Sequence, residues 1–166
     1  MRALDPKDVA PLVVAFAELG WPGKDAALFE GYLTAQARDE IRCLVAVSGD
    51  HVAGYVCVEW RSSYAPFAVA GIPEIVDLNV LPRFRRQGLG TALMDAAEAD
   101  VGSRSAVAGL GVGLYADYGD AWRVYIARGY VPDGRGVMYE GRAVVPGAVI
   151  PIDDSAVMML TKVLRA

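Results

Sequence analysis

The chain has 166 residues, 54% hydrophobic and 22% charged, with a net charge of −4 and a pI near 5.0. The length fits one domain with its own core, the composition is too apolar for disorder, and the acidic balance argues against a nucleic-acid coat. The longest uncharged stretches, 62–73 and 105–116, fall short of the roughly twenty residues of a membrane-spanning helix, and one histidine with two unpaired-looking cysteines, Cys43 and Cys57, gives no zinc spacing.

Residues 1–4 read as a short edge strand. Asp5 followed by Pro6 is a helix start, and Val9, Leu12, Val13, Phe16 and Leu19 recur at helical spacing behind it. Acidic residues in this opening, where a secretory leader needs a basic head, lead to the expectation of a cytoplasmic location. Gly20-Trp21-Pro22-Gly23 breaks the helix, and a second helix is expected over 24–37. Strands follow over 42–48 and 52–60, joined by the turn Gly49-Asp50. Segment 61–73, with two prolines, reads as a loop, and 74–80 as another strand. Leu89, Ala92, Leu93, Ala96 and Ala97 then mark an amphipathic helix. Residues 105–115 read as a strand whose Gly109, Gly111 and Gly113 leave room for something packed close to it. A helix over 119–128, a strand over 130–139 interrupted by Pro132-Asp133-Gly134, an excursion over 140–155 and a last strand over 156–164 complete the chain. This order of seven strands and four helices indicates a mixed sheet with helices on its faces, an α/β class, in a single domain spanning 1–166.

The chemistry concentrates in Val76–Leu93, VDLNVLPRFRRQGLGTAL. A strand ends near Val80, Pro82 stops the ladder, and Arg85-Arg86-Gln87-Gly88-Leu89-Gly90-Thr91 opens the helix. A helix start presents unpaired N–H donors and partial positive charge. Gly88 and Gly90 let backbone approach a bulky anion, and the two arginines add charge, so a pyrophosphate suits the site. No Gly-Lys-Ser/Thr of a P-loop occurs, and Leu93 stands where a dinucleotide fingerprint needs its third glycine.

The remaining pattern, R-x-x-G-x-G at Arg85, Gly88 and Gly90 between a strand and a helix, resembles the acyl-CoA pyrophosphate loop of the GCN5-related N-acetyltransferase (GNAT) family. Asp120–Tyr130, with Tyr125 ahead of Gly129-Tyr130, is similar to that family's last helix. The resemblance implies a GNAT-like fold: a mostly antiparallel sheet of about six to seven strands, splayed between the fourth and fifth, with about four helices. It implies acetyl-CoA as co-substrate, bound by Leu78 and Val80 through backbone groups and by residues 85–91, with Asp120 either a further contact or an ordinary helix cap. It implies transfer of acetyl to a primary amine of a small molecule or peptide. The Val80 N–H would polarise the thioester and Tyr125 would protonate the leaving thiolate, unless Tyr125 is only a core tyrosine. Asp77, then Glu59, are the preferred bases, with Glu74 a third; each also reads as an ordinary strand carboxylate. Trp21, Phe29, Tyr32, Trp60 and Tyr64 either line the acceptor cleft or pack the core. A homodimer is a further association of the resemblance, and a non-catalytic CoA-binding sensor the alternative function. No metal, membrane or nucleic-acid partner is expected.

Overall fold

The computed structural model describes residues 1–164. It divides into two compact units, residues 1–60 with 76–100, and residues 61–75 with 101–164.

In the first unit, β1 (Arg2–Ala3), β2 (Ile41–Ser48) and β3 (His51–Glu59) form an antiparallel set, followed in the sheet order by β4 (Glu74–Val80), whose residues from Val76 belong to this unit. Helices α1 (Pro6–Glu18) and α2 (Ala26–Ala37) supply the apolar cover. Phe16, Phe29 and Tyr55 are fully buried and meet one another at ring-centroid distances of 5.4–6.2 Å. Each such side chain stabilises the fold by about 1.5–3 kcal/mol through removal from water. The thiols of Cys43 and Cys57, cross-strand neighbours, are free and buried in the same core.

The start of α1 is a reciprocal cap. The Asp5 side chain accepts from the Lys7 N–H, and the Asp8 carboxylate accepts from the Asp5 N–H at 2.9 Å. Arg2 adds a two-pronged contact to Asp8 at 2.6 and 2.7 Å. Burial alone would raise the Asp8 carboxyl, but the hydrogen bonds from Arg2 and the Asp5 backbone outweigh it and hold it below its ordinary value. Asp8→Ala is expected to cost about 1–2 kcal/mol in urea unfolding at neutral pH. Because the folded carboxyl is the more acidic one, this contribution is present above the unfolded pKa, about 4, and is lost as pH falls through the folded value. The gap between native and variant should therefore close in acid; a gap independent of pH would show that the cap does not act through its charge.

In the second unit, β5 (Val107–Gly113) pairs in parallel with the first residues of β4, Glu74 with Gly109 and Ile75 with Leu110. β8 (Ala156–Val163) runs antiparallel to β5 and to β6 (Val131–Tyr139), and β7 (Arg142–Ala143) ends the order β4-β5-β8-β6-β7. The Pro132–Val137 stretch shifts register against β8, with Gly134 and Gly136 at positive φ, where the sequence placed an interruption. Phe67 and Tyr118 fill the space left by the strand glycines. A Cβ at Gly109 would overlap the Phe67 ring, and one at Gly113 would lie 2.9 Å from Tyr118 Cζ.

The described residues form eight strands and five helices, one of each more than the sequence indicates. The extra helix is α3 (Ala65–Ala70), inside the segment read as a loop. Pro66 sits in its first turn and Gly71 closes it in the left-handed region at φ 65°. Its buried Phe67 anchors it, so tertiary packing decided what two prolines obscured. The extra strand is β7, which makes the excursion start as a hairpin. Glu140 and Gly141 both take positive φ, the primed-turn geometry that matches strand twist. Helices α4 (Leu89–Gly102) and α5 (Gly119–Ala127) complete the set. No helix among the described residues is long and apolar enough to cross a membrane.

Candidate functional site

β4 ends at Val80, and the Leu81 N–H donates to the Ala53 carbonyl at 2.9 Å, which fixes where the strand stops. A single 3-10 turn over Pro82–Phe84 follows. Arg85 is extended, Arg86 takes φ 61° and Gly88 takes φ 78°. Left-handed residues in a turn are one way for successive amides to come to face a single anion. The first intrahelical bond of α4 runs from the Ala92 N–H to the Gly88 carbonyl at 3.0 Å. The N–H groups of Leu89, Gly90 and Thr91 thus precede the helical ladder as orphan donors of the first turn. Residues 85–88 are exposed, and a Cβ at Gly88 would meet nothing within 4 Å. Glycine takes this positive φ at least cost, and the space beside it is open. Arg85 Nε donates to the Val80 carbonyl at 3.0 Å, while its guanidinium lies 5.7 Å from the Trp21 ring centroid. The arginine so ties the loop to the strand end and keeps its charge over an aromatic face.

Within β4, Asp77 has φ 56°. A left-handed non-glycine inside a strand costs about 1–2 kcal/mol, and the compensation is visible around its carboxylate. Oδ2 accepts from Tyr55 at 2.6 Å and Tyr32 at 2.8 Å; Oδ1 accepts from Asn79 Nδ2 at 2.7 Å and from Lys24 Nζ. Burial first, and then the Asp77 charge, raises both tyrosines well above the ordinary phenol value, so they act as fixed donors. Burial likewise pushes up the Cys57 thiol, with Cys43 adding to it. The side chains of Asp77 and Asn79 meet, as expected for alternate residues of a strand. Leu78 and Val80 are half-buried. On β3, Gly54 touches this stretch: a Cβ there would lie 3.0 Å from Val80 Cα and overlap the Asn79 carbonyl oxygen. Glu59, at the end of β3, is half-buried, and burial raises its carboxyl.

The second unit holds the remaining residues singled out from sequence. Tyr125 faces inward from α5, 8% exposed, and burial pushes its phenol up to about 12. Its ring stands edge-on to Tyr130 at 6.0 Å. Asp120 is exposed in the first turn of α5; the cap residue is Tyr118, so the helix-cap alternative for Asp120 does not hold. Glu74 is buried and accepts from the Ser62 hydroxyl, which also accepts from the Tyr64 N–H at 2.9 Å. Ser62 carried no sequence signal. Of the aromatic residues, Phe29 and Tyr64 are core, the latter bonded to Asp133 at 2.9 Å, while Trp21 and Tyr32 are half-buried beside Arg85 and Asp77. Lys24 and Tyr55, which complete the Asp77 cluster, had no local motif to reveal them.

Residues 8–130 match the profile of the Acetyltransferase (GNAT) family. The chain belongs to that family. No curated protein matches it in sequence. Among solved structures, it is similar to Ard1 from Thermoplasma volcanium, with 21% identity and a TM-score of 0.70 over 99% of this chain and 97% of that one. It is similar to the ribosomal-protein-alanine N-acetyltransferase of Brucella melitensis, with 17% identity and a TM-score of 0.71 over 98% of each. An aminoglycoside 6'-N-acetyltransferase complexed with coenzyme A gives 17% identity and 0.69 over 99% and 96%. The eight-stranded, mostly antiparallel sheet with its parallel β4–β5 pair is the GNAT fold.

Proposed function

We propose that this GNAT protein moves an acetyl group from acetyl-CoA directly to a primary amine. The observation that carries the reading is the exposed loop 85–88 leading into the first turn of α4, placed at the end of a strand whose Asp77 interrupts regular extension. The coenzyme A complex of a similarly folded N-acetyltransferase supports the choice of donor.

In this reading the amides of residues 87–91, with Arg85 and Arg86, hold the pyrophosphate, and Gln87 braces the loop through the Arg83 carbonyl at 3.3 Å. Backbone groups of Leu78 and Val80 bind the pantetheine arm as an added strand, and the exposed Asp120 carboxylate offers its amides an acceptor. The Val80 N–H donates to the thioester oxygen as negative charge develops there. The amine nitrogen attacks the carbonyl carbon, the carbon–sulfur bond breaks, and Tyr125 delivers its proton to the sulfur. Its raised pKa keeps the phenol protonated until that moment. The proton lost by the amine goes to a carboxylate. Asp77 is the nearer one, three residues or roughly 10 Å along β4 from Val80. Glu59 is five residues from Gly54, which touches Val80, or roughly 16 Å. Asp77 is therefore the proposed base; at these separations either carboxylate takes the proton through water, Glu59 by the longer chain.

The test is thiol release from acetyl-CoA by the purified protein with a panel of primary amines. Amine-dependent release supports the reading. Tight CoA binding with no release for any amine would sink it in favour of a sensor. Tyr125→Phe should lower kcat by ~100-fold with CoA affinity within about threefold. An equal loss in both would assign Tyr125 to packing against Tyr130.

A further inference from the structure

We propose that Asp77, Tyr32 and Tyr55 form a binding site for a primary ammonium on a linear aliphatic stem, that Lys24 of the same chain fills it in this structure, and that the acceptor enters by displacing Lys24. The Asp77 carboxylate is arranged asymmetrically. Two phenols take up Oδ2, Asn79 takes one direction of Oδ1, and Lys24 Nζ takes what remains. The Lys24 ammonium also lies 5.7 Å from the Tyr55 ring centroid. A carboxylate fixed by other donors and an aromatic face together are what a desolvated ammonium needs. All of these except Lys24 are built on strands and a helix, and thus preorganised.

Lys24 itself lies outside the helices and strands. It follows the turn Gly20–Gly23, whose two glycines take φ 67° and 72°, and precedes Asp25, the cap of α2. Its side chain is 19% exposed and that of Asp77 16%, so the pair is reached from solvent, unlike the sealed core beneath it. A flexible four-carbon stem loses rotamer freedom in this contact, which makes it a replaceable guest. The rigid acceptors of its charge stay in place. A competing ligand then has to match a lysine tip: an unbranched amine such as a polyamine end or a peptide lysine, and not a branched or quaternary one.

The site stands on this geometry alone, and only the guest's role as acceptor rests on the acetyl-transfer reading. The experiment therefore contains no acyl donor, so either idea can fail without the other. Lys24→Ala in the full chain removes a propylammonium-sized piece. Titrated with n-propylammonium chloride at constant ionic strength, the variant should bind at least tenfold tighter than the native chain by calorimetry. It should ignore propan-1-ol and lose the response when Asp77→Asn is added. A folded Lys24→Ala protein that does not bind propylammonium, or binds it no better than the native chain, overturns the proposal. Should that variant not fold, carbon-detected NMR of the native chain decides: the Lys24 Cε resonance must move on adding propylammonium and stay with propan-1-ol, and a resonance that moves with neither overturns it. Titrations with 1,4-diaminobutane and with Nα-acetyl-lysine methylamide assign the source, the tighter ligand naming a free diamine or a peptide side chain.

Discussion

Gly88→Asp is expected to weaken CoA binding by at least ~100-fold while leaving the protein folded. Two effects must be separated. The first is backbone strain: Gly88 has φ 78°, but aspartate is among the residues that tolerate the left-handed region. A Cβ there meets nothing within 4 Å, so the fold loses only about 1 kcal/mol. The second is charge. Two like charges about 4 Å apart near a protein surface repel by about 4 kcal/mol, and 1.4 kcal/mol is a factor of ten in affinity. The electrostatic effect, nearly three decades in affinity, therefore dominates. Gly88→Asn shares the shape without the charge and should lose only about tenfold. Calorimetry with CoA on the three proteins, beside their thermal midpoints, makes the comparison. If the aspartate variant keeps native affinity, the diphosphate does not sit against residues 85–91 and the donor site must be sought elsewhere.

That loop was readable from sequence because everything about it is local. A proline that ends a strand, glycines where φ turns positive and an apolar helical stripe all lie within Val76–Leu93. The α1 cap was readable for the same reason, Asp5, Pro6 and Asp8 being neighbours. The Asp77 cluster was not. Lys24 is 53 residues from Asp77, Tyr32 is 45 and Tyr55 is 22, and no spacing rule joins a turn lysine to a strand carboxylate. Asp77 itself could be suspected from its place beside Leu78 and Val80, but its left-handed backbone is a tertiary result, since nothing about aspartate in a run of β-formers announces it. Helix α3 was hidden differently. Pro66 and Pro73 signal a break, and only the burial of Phe67 over Gly109 shows why six residues coil between them. The glycines of β5 were legible as small residues making room, though not what they make room for.

Gly54 is the residue that sequence gave least reason to notice and the structure most reason to test. It lies inside β3 with ordinary backbone and reads as a weak point in a strand. Its place is dictated instead by β4: the Asn79 carbonyl and Val80 Cα lie against it, so that any Cβ overlaps main chain, which cannot rotate aside as a side chain would. Gly54→Ala should therefore destabilise by about 1–3 kcal/mol, the usual cost of overpacking, and Gly54→Val by more. Gly31→Ala is the control. Gly31 is an exposed interior residue of α2 with nothing within 4 Å of its would-be Cβ, and alanine there should stabilise by about 0.5–1 kcal/mol. Urea unfolding of the two variants should thus move in opposite directions. The functional consequence is separate from the stability one. Whatever displacement relieves the overlap moves Val80, whose N–H is the proposed donor to the thioester oxygen, so folded Gly54→Ala protein should lose kcat further than it loses CoA affinity. Full activity in a stably folded Gly54→Ala protein would mean that β4 at Val80 does not set the position of the reacting carbonyl.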